Sequence, residues 1–210
     1  DGLKIEFDNE WLHLRKSNGL VRDVVAERHM LRLKGNMGIG HVRYPTAGSK
    51  SPTESQPFYV NSPFGLSIVH NGNLVNSREL EQELHRTDLR HLNTQSDSEV
   101  LLNVFAHELQ AITGLQLELP AIFKAVQATC KRLIGAYAVV IMINGYGLLA
   151  FRDPNGIRPL VYGTRQSESG KQLETMIASE TIPLDALNFE RQGDVEPGHA
   201  IFIDMQGNVH

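Results

Sequence analysis

The sequence predicts an α+β fold in which strands and helices occupy separate layers. Three observations carry this. Period-two alternation marks strands toward both ends of the chain, a block of helical periodicity with two capping signatures fills residues 76–133, and a strong hairpin signal follows it. A chain of βαβ units would interleave the two periods instead.

Taken in order, Leu3, Ile5 and Phe7, then Trp11 and His13, alternate on either side of Asp8-Asn9 and predict a first hairpin. Residues 36–44 and 66–70 predict two further strands, each ending in a polar cluster. Asn76 stands three residues before Glu79, the spacing of a capping box, and predicts a helix start. Ser96-Asp97-Ser98-Glu99 repeats that spacing more clearly and opens a helix with Leu101, Val104, Phe105 and Leu109 on its apolar face. A third helix is expected from Pro120, with Ile122, Val126, Cys130 and Leu133 at helical spacing. Residues 136–143 and 147–151 flank Asn144-Gly145, the residue pair that a tight hairpin turn favours. The last third is strand-like at 160–162, 176–179 and Ala200–Asp204.

Composition narrows the function classes. The 210 residues suit one large domain or two small ones, and no linker rich in Pro, Gly or Ser divides them. A formal charge of −4 leaves no basic stripe to displace counterions from nucleic acid. The longest apolar run, 136–143, is too short to span a bilayer. With Cys130 as the sole cysteine, no internal disulfide can form, which fits a reducing compartment.

Several chemical-looking patterns dissolve in context. Gly145-Tyr146-Gly147-Leu148-Leu149-Ala150 spells a dinucleotide fingerprint, but its glycines fall in a hairpin with no helix behind them. The nine histidines show no H-x₃-H or H-E-x-x-H spacing, so a zinc site has little support. Cys130 sits mid-helix on the apolar stripe, where a thiol packs as a small hydrophobe; a reactive thiol wants a helix N-terminus or a cation facing it.

Three polar clusters stand apart: Gly40-His41-Val42-Arg43-Tyr44-Pro45-Thr46, His70-Asn71-Gly72-Asn73, and Ser96-Asp97-Ser98-Glu99. Singly, Arg43 reads as a surface ion pair, Asn71-Gly72 as a tight turn and Asp97 as a helix-start acid. Together they supply one cation, one anion and a pair of hydrogen-bond donors. Such a set can grip a zwitterionic amino acid and steady an oxyanion.

The stretch Asn36-Met37-Gly38-Ile39-Gly40-His41-Val42-Arg43-Tyr44-Pro45-Thr46-Ala47-Gly48-Ser49 resembles a segment of the amidophosphoribosyltransferase family of class II glutamine amidotransferases. So do Gln56-Pro57-Phe58-Tyr59-Val60-Asn61-Ser62-Pro63, His70-Asn71-Gly72-Asn73-Leu74, Asn93-Thr94 with Ser96-Asp97-Ser98-Glu99, Arg152-Asp153-Pro154-Asn155-Gly156-Ile157-Arg158-Pro159-Leu160, and Ala178-Ser179-Glu180. The similarity runs from about Leu14 to His210 in unbroken order. The first two stretches point to the purine-pathway member over its relatives that make glucosamine phosphate, asparagine or glutamate.

The resemblance implies an N-terminal-nucleophile hydrolase fold, a four-layer αββα sandwich of two antiparallel sheets between helices. An N-terminal cysteine would attack the glutamine side-chain amide, with its own α-amino group as general base. Arg43 matches the residue that holds the substrate carboxylate, and Asp97 the one that holds its ammonium. Asn71, through its side chain, and Gly72, through its main-chain N–H, match the oxyanion hole. Tyr44 and Thr46 are expected near the substrate. The ammonia would pass to a phosphoribosyltransferase domain, displace pyrophosphate from phosphoribosylpyrophosphate with Mg²⁺ on the diphosphate, and give phosphoribosylamine. No cofactor is expected in the glutaminase part itself. A cytoplasmic homo-oligomer without nucleic-acid or membrane partners is expected.

Residues 1–210 are therefore expected to be a glutaminase domain incomplete at its N-terminus. The family's opening C-G-I segment and Q-H-R-G-Q-D-A stretch, on the order of 30 residues, are expected before Asp1, and the phosphoribosyltransferase domain after His210. Without the cysteine the chain as given would not turn over. The alternatives are a glutamine-binding module without catalysis and another class II amidotransferase.

Overall fold

The computed structural model describes residues 12–43, 52–170 and 172–210. Most of the hairpin expected at Leu3–His13 lies outside them. Two single-turn helices come first, α1 (Val21–Val24) and α2 (Glu27–Met30), and neither buries a side chain. The strand expected at 36–44 is not one. Met37, Ile39, His41 and Arg43 are half-buried while Gly38, Gly40 and Val42 are exposed, so the alternation of a strand is present. Among the described residues, however, no neighbouring strand bonds to it, and alternation without a ladder leaves an extended segment.

Beyond a 3₁₀ turn at Pro52–Glu54, β1 (Phe58–Val60) pairs antiparallel with β2 (Leu66–Leu74). The sequence ends the second of these strands at His70; in the structure it runs four residues further, through His70-Asn71-Gly72-Asn73. Its partner supplies the reason. Nine residues of β2 face nine of β3 (Gly135–Ile143), from Leu66 opposite Ile143 to Leu74 opposite Gly135. A full ladder on one side carries polar side chains into the strand that side-chain patterning alone would exclude.

Between β2 and β3 lie α3 (Ser77–Thr87), α4 (Asp97–Ile112) and α5 (Leu119–Arg132). The box expected at Asn76 does not form, because its side chain is engaged elsewhere. It donates to the Arg132 carbonyl at 2.8 Å and accepts from the Ile134 N–H at 3.0 Å, tying the start of α3 to the end of α5. At α4 the Ser96 hydroxyl does cap, accepting from the Ser98 N–H at 3.3 Å. Glu99 does not reach back to Ser96. Its carboxylate takes the N–H groups of Asn93 and Thr94 at 2.9 and 2.8 Å, fixing the loop before the helix. The predicted face Leu101, Val104, Phe105 and Leu109 is buried, and so are Val100, Leu102 and Ala106, because α4 packs on β1 and β2 as well as on α3 and α5. On α5, Cys130 is half-buried against this core and burial pushes its thiol pKa up. That is the state of a packing cysteine.

The expected hairpin forms as β3 and β4 (Gly147–Arg152), joined by 144–146 with the Tyr146 N–H on the Ile143 carbonyl at 3.0 Å. Gly145 takes φ 74° in the turn, and a Cβ on Gly147 would stand 2.1 Å from the Ile203 carbonyl oxygen. The two glycines that mimic a nucleotide fingerprint thus serve the turn and a close strand approach.

The chain then makes β5 (Val161–Gln166), β6 (Leu173–Ala178), α6 (Ile182–Ala186), β7 (Glu190–Asp194) and β8 (Ala200–Asp204). β8 returns to the first sheet, ordered β1-β2-β3-β4-β8, while the others form a second sheet, β6-β5-β7. Every pairing is antiparallel.

Alternation sorts the core into layers. Val139, Ile141, Leu149, Phe151 and Phe202 meet the helices α3 to α5. Ala138, Val140, Ala150 and Ile201 face the other way, onto Leu160, Tyr162, Ile177 and Val195. Val161, Met176 and Ala178 turn outward onto Leu184 of α6 and Phe189. The order is helix, sheet, sheet, helix: the four-layer αββα sandwich that the sequence resemblance implies.

Candidate functional site

The site is built on one edge of β2. β1 begins at Phe58, opposite Ile68, and among the described residues no strand pairs with the rest of that edge. Alternate residues of an antiparallel strand turn their amides to the same side. Ile68 points to β1, so His70, Gly72 and Leu74 point to the same edge. Two of these are gripped by side chains. Gln56 accepts the His70 N–H on Oε1 at 2.6 Å and donates from Nε2 to the His70 carbonyl at 2.9 Å. Asp97, the first residue of α4, accepts the Leu74 N–H on Oδ2 at 2.9 Å. The Gly72 amide lies between them.

Gly72 has room for no side chain. At φ 156°, a Cβ there would lie 2.0 Å from the Ala136 carbonyl oxygen and 2.8 Å from Cα of Tyr137, both main-chain atoms of β3. Asn71, one residue earlier, is exposed and extends to the sheet face opposite His70. Asp97 lies at the N-terminus of a 16-residue helix, whose dipole favours its negative charge. Its side chain keeps 21% exposure, so it is open to a ligand.

Beneath the strand, His70 is buried. One ring nitrogen, Nδ1, lies 3.0 Å from the Ser98 hydroxyl and 3.8 Å from Asp97 Oδ1. Burial drives its pKa down to about 4, with Asp97 opposing and His41 and Arg158 reinforcing the fall. His41 is lowered too, by burial first and then by Arg43, against a hydrogen bond to the His70 main chain. Both rings are thus neutral near pH 7. The unfolded chain binds a proton on His70 below about pH 6.5 that the folded chain refuses until about pH 4. Folded stability therefore falls as pH drops through that window. In a histidine-ring NMR titration, one ring should stay unprotonated at pH 5; a His70 midpoint near 6.5 would refute this.

Arg43 is tied through Glu54 to the loop before α4. Its Nη1 donates to the Glu54 carbonyl at 3.4 Å, and the Glu54 carboxylate accepts the Gln95 N–H at 3.3 Å, two residues before Asp97. The structure thus places Asn71 and Gly72 on β2, sets Asp97 of α4 against Leu74 of the same strand, and links Arg43 to the loop leading into α4. Tyr44 and Thr46 lie outside the described residues.

Gln56, His70 and Ser98 also belong to this region, and the sequence does not single them out. Only their membership of the quoted motifs marks them, because the bonds they make join segments 14 to 42 residues apart. Nor does the sequence single out Asp153, a fully buried carboxylate. Asp153 holds the N–H groups of Asn155 and Ile157 at 2.9 and 3.1 Å and shapes the turn that carries Arg158. Among the described residues no three His, Cys, Asp or Glu side chains converge as metal ligands, and no helix is long and apolar enough to cross a membrane.

The four-layer αββα fold is that of a known class. Residues 41–186 match the family described as the glutamine amidotransferase domain, and the chain belongs to that family. Within it the similarity is to amidophosphoribosyltransferases. The chain is 57% identical over 199 residues to the amidophosphoribosyltransferase of Pseudomonas aeruginosa, covering 95% of this chain and 39% of that one. With the Escherichia coli amidophosphoribosyltransferase it shares 56% over 201 residues, covering 96% and 40%. The chain thus spans about two-fifths of the length of the curated relatives it matches. Among solved structures, the glutamine phosphoribosylpyrophosphate amidotransferase of B. subtilis, complexed with ADP and GMP, superposes with a TM-score of 0.72 at 30% identity, covering 91% of this chain and 38% of that one. These neighbours carry the N-terminal-nucleophile hydrolase fold of glutamine amidotransferase domains.

Proposed function

We propose that this chain is the glutamine-binding and glutamine-hydrolysing part of an amidophosphoribosyltransferase, the enzyme that commits phosphoribosylpyrophosphate to purine synthesis. In this reading a cysteine at the start of the longer protein attacks the side-chain amide carbon of glutamine, its own α-amino group taking the thiol proton. The Arg43 guanidinium pairs with the substrate carboxylate and Asp97 with its ammonium. The negative charge that develops on the amide oxygen is met by the Asn71 side-chain NH₂ and the Gly72 N–H. Tyr44 and Thr46 are assigned to glutamine binding by resemblance of their motif alone. The released ammonia passes to a phosphoribosyltransferase domain following residue 210. That domain would displace pyrophosphate from phosphoribosylpyrophosphate, and a Mg²⁺ ion held there would supply charge neutralisation for the leaving diphosphate. The enzyme works as a homo-oligomer in the cytoplasm.

The observation that carries this reading is the place of Gly72 on the β2 edge. There a main-chain amide that tolerates no Cβ lies between Gln56 and an accessible carboxylate. Preorganised donors of this kind stabilise a developing oxyanion without reorganisation.

The test is the full-length gene product supplied with glutamine or with free ammonia. Arg43→Leu removes a charge-assisted partner and should raise the glutamine KM about 10–100-fold, leaving ammonia-dependent synthesis intact. An unchanged KM would reject the pairing. Glutamine bound without release of ammonia would assign the chain to a non-catalytic module. An upstream reading frame with no cysteine codon behind its start would remove the nucleophile from the scheme.

A further inference from the structure

The Gln56 side chain imitates a strand. Just before β1 begins, its amide offers one acceptor and one donor to the N–H and C=O of His70, as the main chain of a neighbouring strand would. It therefore extends the sheet edge by one further rung beyond Phe58. The same Nε2 lies 3.2 Å from the Ser98 hydroxyl, which lies 3.0 Å from His70 Nδ1. Ser98 follows Asp97, which holds Leu74 at the other end of the segment. Asn71 and Gly72 are thus suspended between two grips, and Ser98 joins the grips to each other from α4. Main-chain amides bound at only one edge can shift, and a misplacement of about 1 Å can cost about 10²-fold in rate.

We propose that Gln56 is a positioning residue for amide hydrolysis, holding the Asn71–Gly72 segment at the height where its two donors meet the developing oxyanion. This rests on the reading of those two residues given above. Gln56 touches no substrate; it acts through the His70 main chain. Its loss should slow the chemical step while sparing glutamine binding by Arg43 and Asp97, a split that general loosening of the domain would not produce.

The experiment uses the full-length enzyme with Gln56→Met, which keeps the volume and loses both bonds, and Gln56→Glu, which keeps the acceptor and loses the donor. Glutamine-dependent kcat should fall about 10-fold to 100-fold in Gln56→Met, and fall also in Gln56→Glu. KM should stay within about twofold, with ammonia-dependent activity unchanged. A wild-type kcat in Gln56→Met would overturn the proposal. So would a joint fall of kcat, ammonia-dependent activity and thermal midpoint, or failure of both variants to fold, either of which would make Gln56 a stability residue. Asn71→Ala is run alongside. If it hydrolyses glutamine at the wild-type rate, the oxyanion reading itself fails. If it is slow while Gln56→Met is fast, only the role of Gln56 fails.

Discussion

Asn71→Ala in the full-length enzyme should lower glutamine hydrolysis by ~10²–10³, the scale for loss of one oxyanion donor. The exposed side chain makes few packing contacts to lose, so the thermal midpoint should move little. Synthesis from free ammonia should continue at its normal rate, since that step bypasses the amide. The glutamine KM should change far less than kcat, because an oxyanion donor acts where the charge has formed. Parallel loss of both activities would show that Asn71 serves the fold, and the assignment would fall.

Gly72→Ala should be the more damaging change, for a reason visible in the backbone. The new methyl would stand 2.0 Å from the Ala136 carbonyl oxygen, at a φ that L-residues rarely adopt. Neither obstacle is a flexible side chain that could turn away. The β2–β3 ladder must open locally, at a cost of roughly 1–3 kcal/mol or more for forced overpacking. The donor it carries would be displaced, so glutaminase activity should fall at least as far as in Asn71→Ala, roughly 10²-fold or more. Thermal unfolding and glutaminase assays on the same preparation check both halves. Retained stability with retained activity would mean that the strand approach at Gly72 is not as close as described.

Much of this was legible in the sequence. The β3–β4 hairpin declared itself because an Asn-Gly turn between two alternating runs is a local signal. The interior of α4 did so because its apolar residues recur at helical spacing. What stayed hidden was non-local. β2 runs through His70-Asn71-Gly72-Asn73 because β3 is long enough to pair with it, and nothing within those four residues says so. β7 escaped because Glu190–Asp194 is polar and largely exposed, held by ladder bonds to β5 rather than by an apolar face. Asn76 resembles a cap because capping residues are recognised by spacing. Its partners, Arg132 and Ile134, lie 56 and 58 residues away. At the site, the same divide separates Arg43, Asn71, Gly72 and Asp97, which stand in recognisable clusters, from Gln56, whose importance exists only once β1 has been seen to begin at Phe58.

The amide of Gly72 belongs to the main chain, so every residue but proline would bring one. What the gene writes at this position is therefore a vacancy: the omission of a methyl, reserved so that two strands can close. A group encoded this way cannot be deleted by exchanging side chains. Mutagenesis meets it only as damage to the ladder, never as the clean removal that Asn71 permits.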